Sequence, residues 1–171
     1  REPIAEVLQQ WLPNWGTILE IASGSGEHAV QFQKIFHHLR WQASDPDPQH
    51  RSSINAWIRH TEQTSTMAHA LDIDVAQQPW PLPKDVESCL SAIVCINLLH
   101  ISRKDCTEAL LQQAAERLPP KAPLIIYGPF KRDGAHTCLS NAHFDASMRE
   151  RNPEWGVRDI EWIKSLILTL P

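Results

Sequence analysis

An α/β fold is what this sequence predicts: a doubly wound, mostly parallel sheet with helices packed on both faces. Three observations carry the expectation. Apolar strand-like runs alternate with stretches of helical periodicity five times between Ile18 and Tyr127, the pattern of parallel strands joined by right-handed crossovers. Leu90 to Ile96 is almost continuously apolar, as a central parallel strand covered on both faces should be. Ile18-Leu19-Glu20-Ile21-Ala22-Ser23-Gly24-Ser25-Gly26-Glu27-His28-Ala29 runs from a strand through a glycine turn into a helix. Sheets of this kind open a ligand pocket there, at a strand's carboxyl end.

The elements follow in order. Pro3 to Leu12 has helical periodicity, with Ile4, Val7, Leu8, Trp11 and Leu12 on one face; proline suits its first turn and Pro13 ends it. Ile18 to Ala22 is the first strand. A helix from Glu27 to Phe36 offers Ala29, Val30, Phe32 and Phe36 for burial. Trp41 to Ser44 is a second strand, stopped by Asp45-Pro46-Asp47-Pro48, and Gln49 to Arg59 is a helix with Ile54, Trp57 and Ile58 as its apolar face. A third strand is expected near Met67 to Ile73, then a proline-rich surface loop from Gln77 to Pro83. After the strand at Leu90 to Ile96, Ser102 and Asp105 resemble a capping box for a helix reaching Leu118. Leu124 to Tyr127 is the fifth strand. Lys131 to Ser140 reads as a polar loop, Asn141 to Arg151 as a short helix, and Asp159 to Leu166 as another. Ile167 to Leu170 then reads as a strand with no connection before it. Residues are therefore expected to be missing near Leu166 and Ile167, and after Pro171.

Composition narrows the function classes. With 171 residues, 42% of them hydrophobic and 21% charged, the chain reads as one domain over 1–171 with a sizeable core. A formal charge of −4 argues against a broad basic face for nucleic acid. No apolar run is long enough to span a bilayer and no secretory signal is visible, so a cytoplasmic protein without a membrane partner is expected. Cys89, Cys95, Cys106 and Cys138 have no C-x-x-C spacing and read as reduced thiols. No metal site is expected: His136, His143 and Asp145 lack a fourth ligand at recognisable spacing. Oligomeric state is not readable.

The chemistry lies at the strand ends. Gly24-x-Gly26-x-x-Ala29 fits a dinucleotide fingerprint in its alanine variant. Glycines let backbone approach a ligand, and the helix N-terminus behind them favours a carboxylate or a phosphate. Three residues discriminate. Glu20, inside the first strand, can orient the turn and meet an ammonium group. Asp45 closes the second strand, where a carboxylate accepts from ribose hydroxyls. Asp72 and Asp74 close the third, where one can accept from an adenine amine. An amino-acid head, a ribose and an adenine together describe S-adenosylmethionine. The aspartates are also good turn formers, which is the plainer explanation of them.

Leu19 to Gly26 resembles the glycine motif of Rossmann-like (class I) methyltransferases, with Ala22 where many have glycine, and Asn97-Leu98-Leu99-His100 resembles the Asn-x-Leu-His segment after their fourth strand. More narrowly, the chain is similar to the uncharacterised methyltransferase-like family known as domain of unknown function 938. The similarity runs through Glu20 to His28, Ser44-Asp45, Cys95 to His100, Cys106-Thr107-Glu108, Tyr127 to Phe130, and Ser140-Asn141 through Asp159, with Arg151 to Asp159 the most distinctive part. The resemblance implies a seven-stranded fold ending in an antiparallel strand pair, of which only Ile167 to Leu170 is expected here. It implies S-adenosyl-L-methionine as cofactor and S-adenosyl-L-homocysteine as product. Glu20, Ala22, Ser23, Gly24 and Gly26 would form the turn along the methionine part, Asp45 would hold the ribose, Asp74 and Val75 would flank the adenine, and Asn97 and Leu98 would close the pocket near the sulfonium.

Methyl transfer needs in-line positioning, and a base only if the nucleophile carries a proton. His100 and Tyr127, at the ends of adjacent strands, are the candidate catalytic residues. Asn141, Asp145, Arg149, Trp155 and Arg158 are candidates for a polar lid over the acceptor; a solvated helix face with one anchoring Trp explains them equally well. Asn152-Pro153-Glu154-Trp155 looks like the Asn-Pro-Pro-aromatic motif of amino-group DNA methyltransferases but falls beyond the fifth strand and lacks the second proline. The expected function is methyl transfer to an acceptor, small molecule or protein, that the sequence does not identify. The alternatives are a non-catalytic module holding S-adenosylmethionine or its product, and an NAD-dependent oxidoreductase.

Overall fold

A computed structural model describes residues 2–171. Helix α1 (Glu2–Trp11) precedes strand β1 (Thr17–Ile21), followed by α2 (Glu27–Ile35), β2 (Arg40–Gln42), α3 (Pro48–His60), α4 (Lys84–Cys89), β3 (Leu90–Ile96), a single 3₁₀ turn (Leu99–Ile101), α5 (Lys104–Arg117) and β4 (Leu124–Tyr127). The remainder is β5 (Phe130–Arg132), β6 (Ala135–His136), α6 (Leu139–Arg151), β7 (Arg158–Asp159) and α7 (Ile160–Leu168). The main sheet has the order β2-β1-β3-β4, and every pair in it is parallel. All five residues of β1 are buried, as the helices covering both faces require.

Period-two alternation divides the core. Ile18, Ala92 and Val94 face α1, α2 and α3, where Leu8, Phe32, Trp41, Ile54 and Ile58 complete one cluster. Leu19, Ile21, Ile93 and Cys95 face the other way, onto Trp80, Leu110, Leu111 and Ile163. Glu20 falls on the first face and shares it with Trp41. The α2–α3 contact depends on Gly26. Its φ is +88°, and a Cβ there would lie 2.7 Å from Ile54 Cα. Asp47 caps α3 by accepting from the Gln49 N–H at 2.8 Å, with Pro48 at the first helical position.

Several expectations are corrected. Among the described side chains of α1 only Ile4 and Leu8 are buried; Val7 is exposed and Trp11 is 65% exposed, because the sheet meets a narrower stripe than the sequence offers. The third strand shrinks to one parallel bridge between Ser44 and Leu71. On one side of it the Gln42 amide donates to the carbonyls of Ala43 and His69, bridging the two segments by a side chain. On the other side Pro46 and Pro48 have no N–H to offer. Ser102 is no cap. Its hydroxyl donates back to Leu98 O at 3.0 Å, and Arg103 precedes the helix, with an ion pair to Asp105. The expected loop after Lys131 contains a hairpin, β5 against β6, turning at Asp133-Gly134 with both residues at positive φ. With β7 these form a second sheet, β6-β5-β7. Ile167 to Leu170 is not a strand: α7 runs on to Leu168, so the chain is continuous helix across Leu166 and Ile167. No helix among the described residues is long and apolar enough to cross a membrane.

Candidate functional site

The glycine turn sits where β1 ends. Ala22, Gly24 and Gly26 all have positive φ, so the chain reverses within five residues. It is stitched to the end of β2: Ser23 N–H donates to Ser44 O (2.8 Å), Ser44 N–H to Ser23 Oγ (3.1 Å), and Ser44 Oγ to Glu20 O (2.6 Å). Asp45, only 5% exposed, turns its carboxylate toward the loop and accepts from Gly24 N–H at 3.0 Å. Its other oxygen accepts from Asp47 N–H (3.0 Å) and lies 3.1 Å from His50 Nδ1. Around Gly24 the direction of a Cβ is open, with no atom within 4 Å. The turn therefore presents bare backbone on one side and an anchored carboxylate on the other.

Beneath it lies Glu20, 2% exposed. Burial raises its carboxyl to about 7. Hydrogen bonds from Ser23 and from Trp41 Nε1 (3.4 Å) work against that rise, while the Asp45 charge adds to it. A nearby cation would favour the ionised form of Glu20.

At the end of the 67–73 segment, Asp72 and Asp74 line a recess of about 350 Å3 with Gln77, Gln78 and Pro79. Asp74 Oδ1 accepts from Ala76 N–H at 3.0 Å, and Asp72 pairs with Arg51 at 3.1 Å. Val75, expected beside the same ligand, is buried in the core with its carbonyl accepting from Trp80 Nε1. His50 and Arg51 were not singled out by the sequence. Arg51 also donates to Asp45 O and Pro46 O, so the first turn of α3 holds the second and third strand ends together. Their spacing after Asp47 is an ordinary helix opening, and only the fold gives it meaning.

Asn97 and Leu98 leave β3, Asn97 at φ +57° and bonded from its N–H to Tyr127 O (2.8 Å). His100 is 4% exposed, packed against Phe144 with ring centroids 5.5 Å apart, its carbonyl accepting from Gly156 N–H at 2.9 Å. Burial, then the Arg158 cation, holds its imidazole below the usual histidine range, so it is neutral near pH 7. Tyr127 is exposed.

The five lid candidates divide. Asp145 is buried and accepts from Val157 N–H (2.8 Å) and Arg149 Nε (3.0 Å), and meets His136 Nε2 at 3.2 Å. It ties α6 to the hairpin and to the 152–158 segment. Arg158 Nη2 donates to Ser102 O and Glu154 O, both at 2.7 Å. Asn141 is half-buried and bonds Thr137, and Trp155 stacks under Arg151.

Several solved structures share this fold. The O-methyltransferase family protein from Burkholderia thailandensis superposes with a TM-score of 0.76 at 16% identity, over 96% of this chain and 48% of that one. Human N-acetylserotonin methyltransferase, in complex with SAM, gives 0.70 at 13% identity over 91% and 41%. Geranyl diphosphate C-methyltransferase from Streptomyces coelicolor, with S-adenosyl-L-homocysteine bound, gives 0.71 at 10% identity over 99% and 57%. The chain thus spans about half the length of these structures, and at such identities they establish the fold alone, a Rossmann-like α/β fold with a parallel sheet. The sequence matches the model of DUF938, described as a protein of unknown function, over residues 1–168. The chain belongs to the DUF938 family.

Proposed function

We propose that the chain is a methyltransferase using S-adenosyl-L-methionine, with a small molecule or a protein as acceptor. One observation carries most of the reading: the bare backbone at Gly24 faces open space while Asp45, bonded to its N–H, stands beside it. A nucleoside with an amino-acid head fits that arrangement. The cofactor, when bound, supplies an electrophilic methyl group on a sulfonium.

The chain's own residues bind and orient. The turn from Ala22 to Gly26 and the first N–H groups of α2 receive the carboxylate end of the methionine part. Glu20 answers its ammonium through the turn, giving up its proton. Asp45 accepts from ribose hydroxyls with lone pairs that Gly24 and Asp47 leave over. Asp74 accepts from the adenine amine, and Val75 offers backbone there. Asn97 and Leu98 close the side toward the acceptor. His100 is the candidate base, since a neutral imidazole can take a proton from a hydroxyl or amine nucleophile. Exposed Tyr127 and half-buried Asn141 and Trp155 lie on the acceptor side, and Arg149, Arg158 and Asp145 hold that side together.

A second reading, a module that binds the cofactor or its product without turnover, is favoured by the burial of His100. A labelled methyl-donor assay against metabolite and protein pools separates the two. Label transferred above background to at least one pool supports the enzyme; background transfer to every pool, with S-adenosylhomocysteine bound, supports the module.

A further inference from the structure

At the carboxyl ends of β3 and β4, where α5 begins and β5 pairs β7, the molecule has a small recess of about 120 Å3. Lys104, Lys131, Arg149 and Arg158 line it, with Asp159 and Trp162. Four cations around one carboxylate is an imbalance. Arg149 is matched by Asp145 from behind, but neither Lys104 nor Lys131 forms an ion pair among the described residues. Lys104 instead lies over the Trp162 ring, 5.3 Å from its centroid.

The buried polar atoms supply an independent sign. Arg158 is 6% exposed, yet its Nε has no hydrogen-bond partner, and neither has Asp159 Oδ1. Buried donors and acceptors are normally satisfied. Here an orphaned donor and an orphaned acceptor belong to adjacent residues lining one recess. The strand register sets them there: Phe130 pairs Arg158 and Lys131 pairs Asp159. Gly156 contributes by lacking a side chain, since a Cβ would lie 2.7 Å from Arg149 Nη2. Burial, then the charge of Arg149, pulls the Arg158 guanidinium below its usual value, which a bound anion would reverse.

We infer that this recess is an oxyanion subsite for a phosphate or carboxylate group of the methyl acceptor. Lys104, Lys131 and Arg158 are its donors, and Asp159 takes a neighbouring hydroxyl or amine. Assigning the anion to an acceptor rests on the methyltransferase reading; the anion site itself does not. The element that joins it to the cofactor side is the turn 99–102, since Arg158 holds Ser102 O and Gly156 holds His100 O.

The test is calorimetry of the full chain with inorganic phosphate and, separately, with acetate, each against sodium chloride at matched ionic strength. Saturable binding of at least one oxyanion at one site per chain is expected, weakened at least 3-fold by Lys104→Gln or Lys131→Gln and about 10-fold by both, because charge-assisted bonds are lost. Arg158 is spared because it anchors backbone. Affinity for S-adenosylhomocysteine should change less than 2-fold in these variants and at saturating oxyanion. Binding that is unsaturable, or indifferent to both lysines, overturns the subsite while leaving the cofactor reading intact. Competition between oxyanion and S-adenosylhomocysteine would return the anion to the cofactor's own carboxylate site and overturn the assignment. Oxyanion binding without any S-adenosylhomocysteine binding would remove the acceptor and the methyltransferase reading together.

Discussion

Asp45 concentrates several demands on one carboxylate. It fixes Gly24, supports the turn after β2 through Asp47, and has His50 beside it. Asp45→Ala should weaken S-adenosylhomocysteine binding by roughly 1–3 kcal/mol, the scale of a lost hydrogen bond to a charged group; unchanged affinity by calorimetry would mean the ribose lies elsewhere. His100 is set up differently, buried and neutral. His100→Ala should slow methyl transfer at least about 100-fold, the low end for loss of a general base, while leaving cofactor affinity within about 2-fold. Parallel loss of turnover and affinity would make it a packing residue. At this scale the placement of Asp45 and Glu20 beside the glycine turn was legible, because strand ends in such sheets meet there. His50 and Arg51 were not, since nothing in a helix opening distinguishes a solvated cation from one that reaches across to Asp72.

Among the elements, the turn between β1 and α2 tolerates little change. Gly26 combines a left-handed backbone with contact against Ile54. Gly26→Ala should cost about 2 kcal/mol or more in urea unfolding, from strain and overpacking together. A loss below half of that would show that α3 shifts easily. Elements with a strong hydrophobic period, β1, β3, α2, α3 and α5, were readable from the chain. The expected third strand misled because its residues are extended and apolar yet paired at one point, and pairing is a property of neighbours. The β5–β6 hairpin carried its signal in plain view: Asp133-Gly134 is a favoured two-residue turn, masked by the polarity around it. Ile167 to Leu170 shows the converse: with no break after Leu166 the helix runs on to Leu168, although Ile167 and Leu168 are exposed.

For the whole molecule, the acid–base behaviour of one buried group should be visible in both stability and binding. Glu20 is raised from an ordinary 4.5 to about 7 in the fold. The folded chain therefore holds more protons than the unfolded one between those values. The resulting stability is fully present below 4.5 and is lost as pH rises through about 7. Thermal unfolding of the wild type should fall relative to Glu20→Gln as pH increases from 5 to 8; parallel curves would show that Glu20 is ionised throughout. Binding a ligand ammonium should have the opposite slope, tightening as Glu20 ionises and releasing a proton below pH 7.

Together the glycine turn, Glu20, Asp45 and Asp74 should select an amino-acid-bearing adenosine over a dinucleotide. Side-by-side calorimetry of the chain with S-adenosylhomocysteine and with NAD tests it most directly. Saturable one-to-one binding of S-adenosylhomocysteine, weakened by Asp45→Ala, is expected, with no measurable binding of NAD. Binding of NAD without S-adenosylhomocysteine would contradict it.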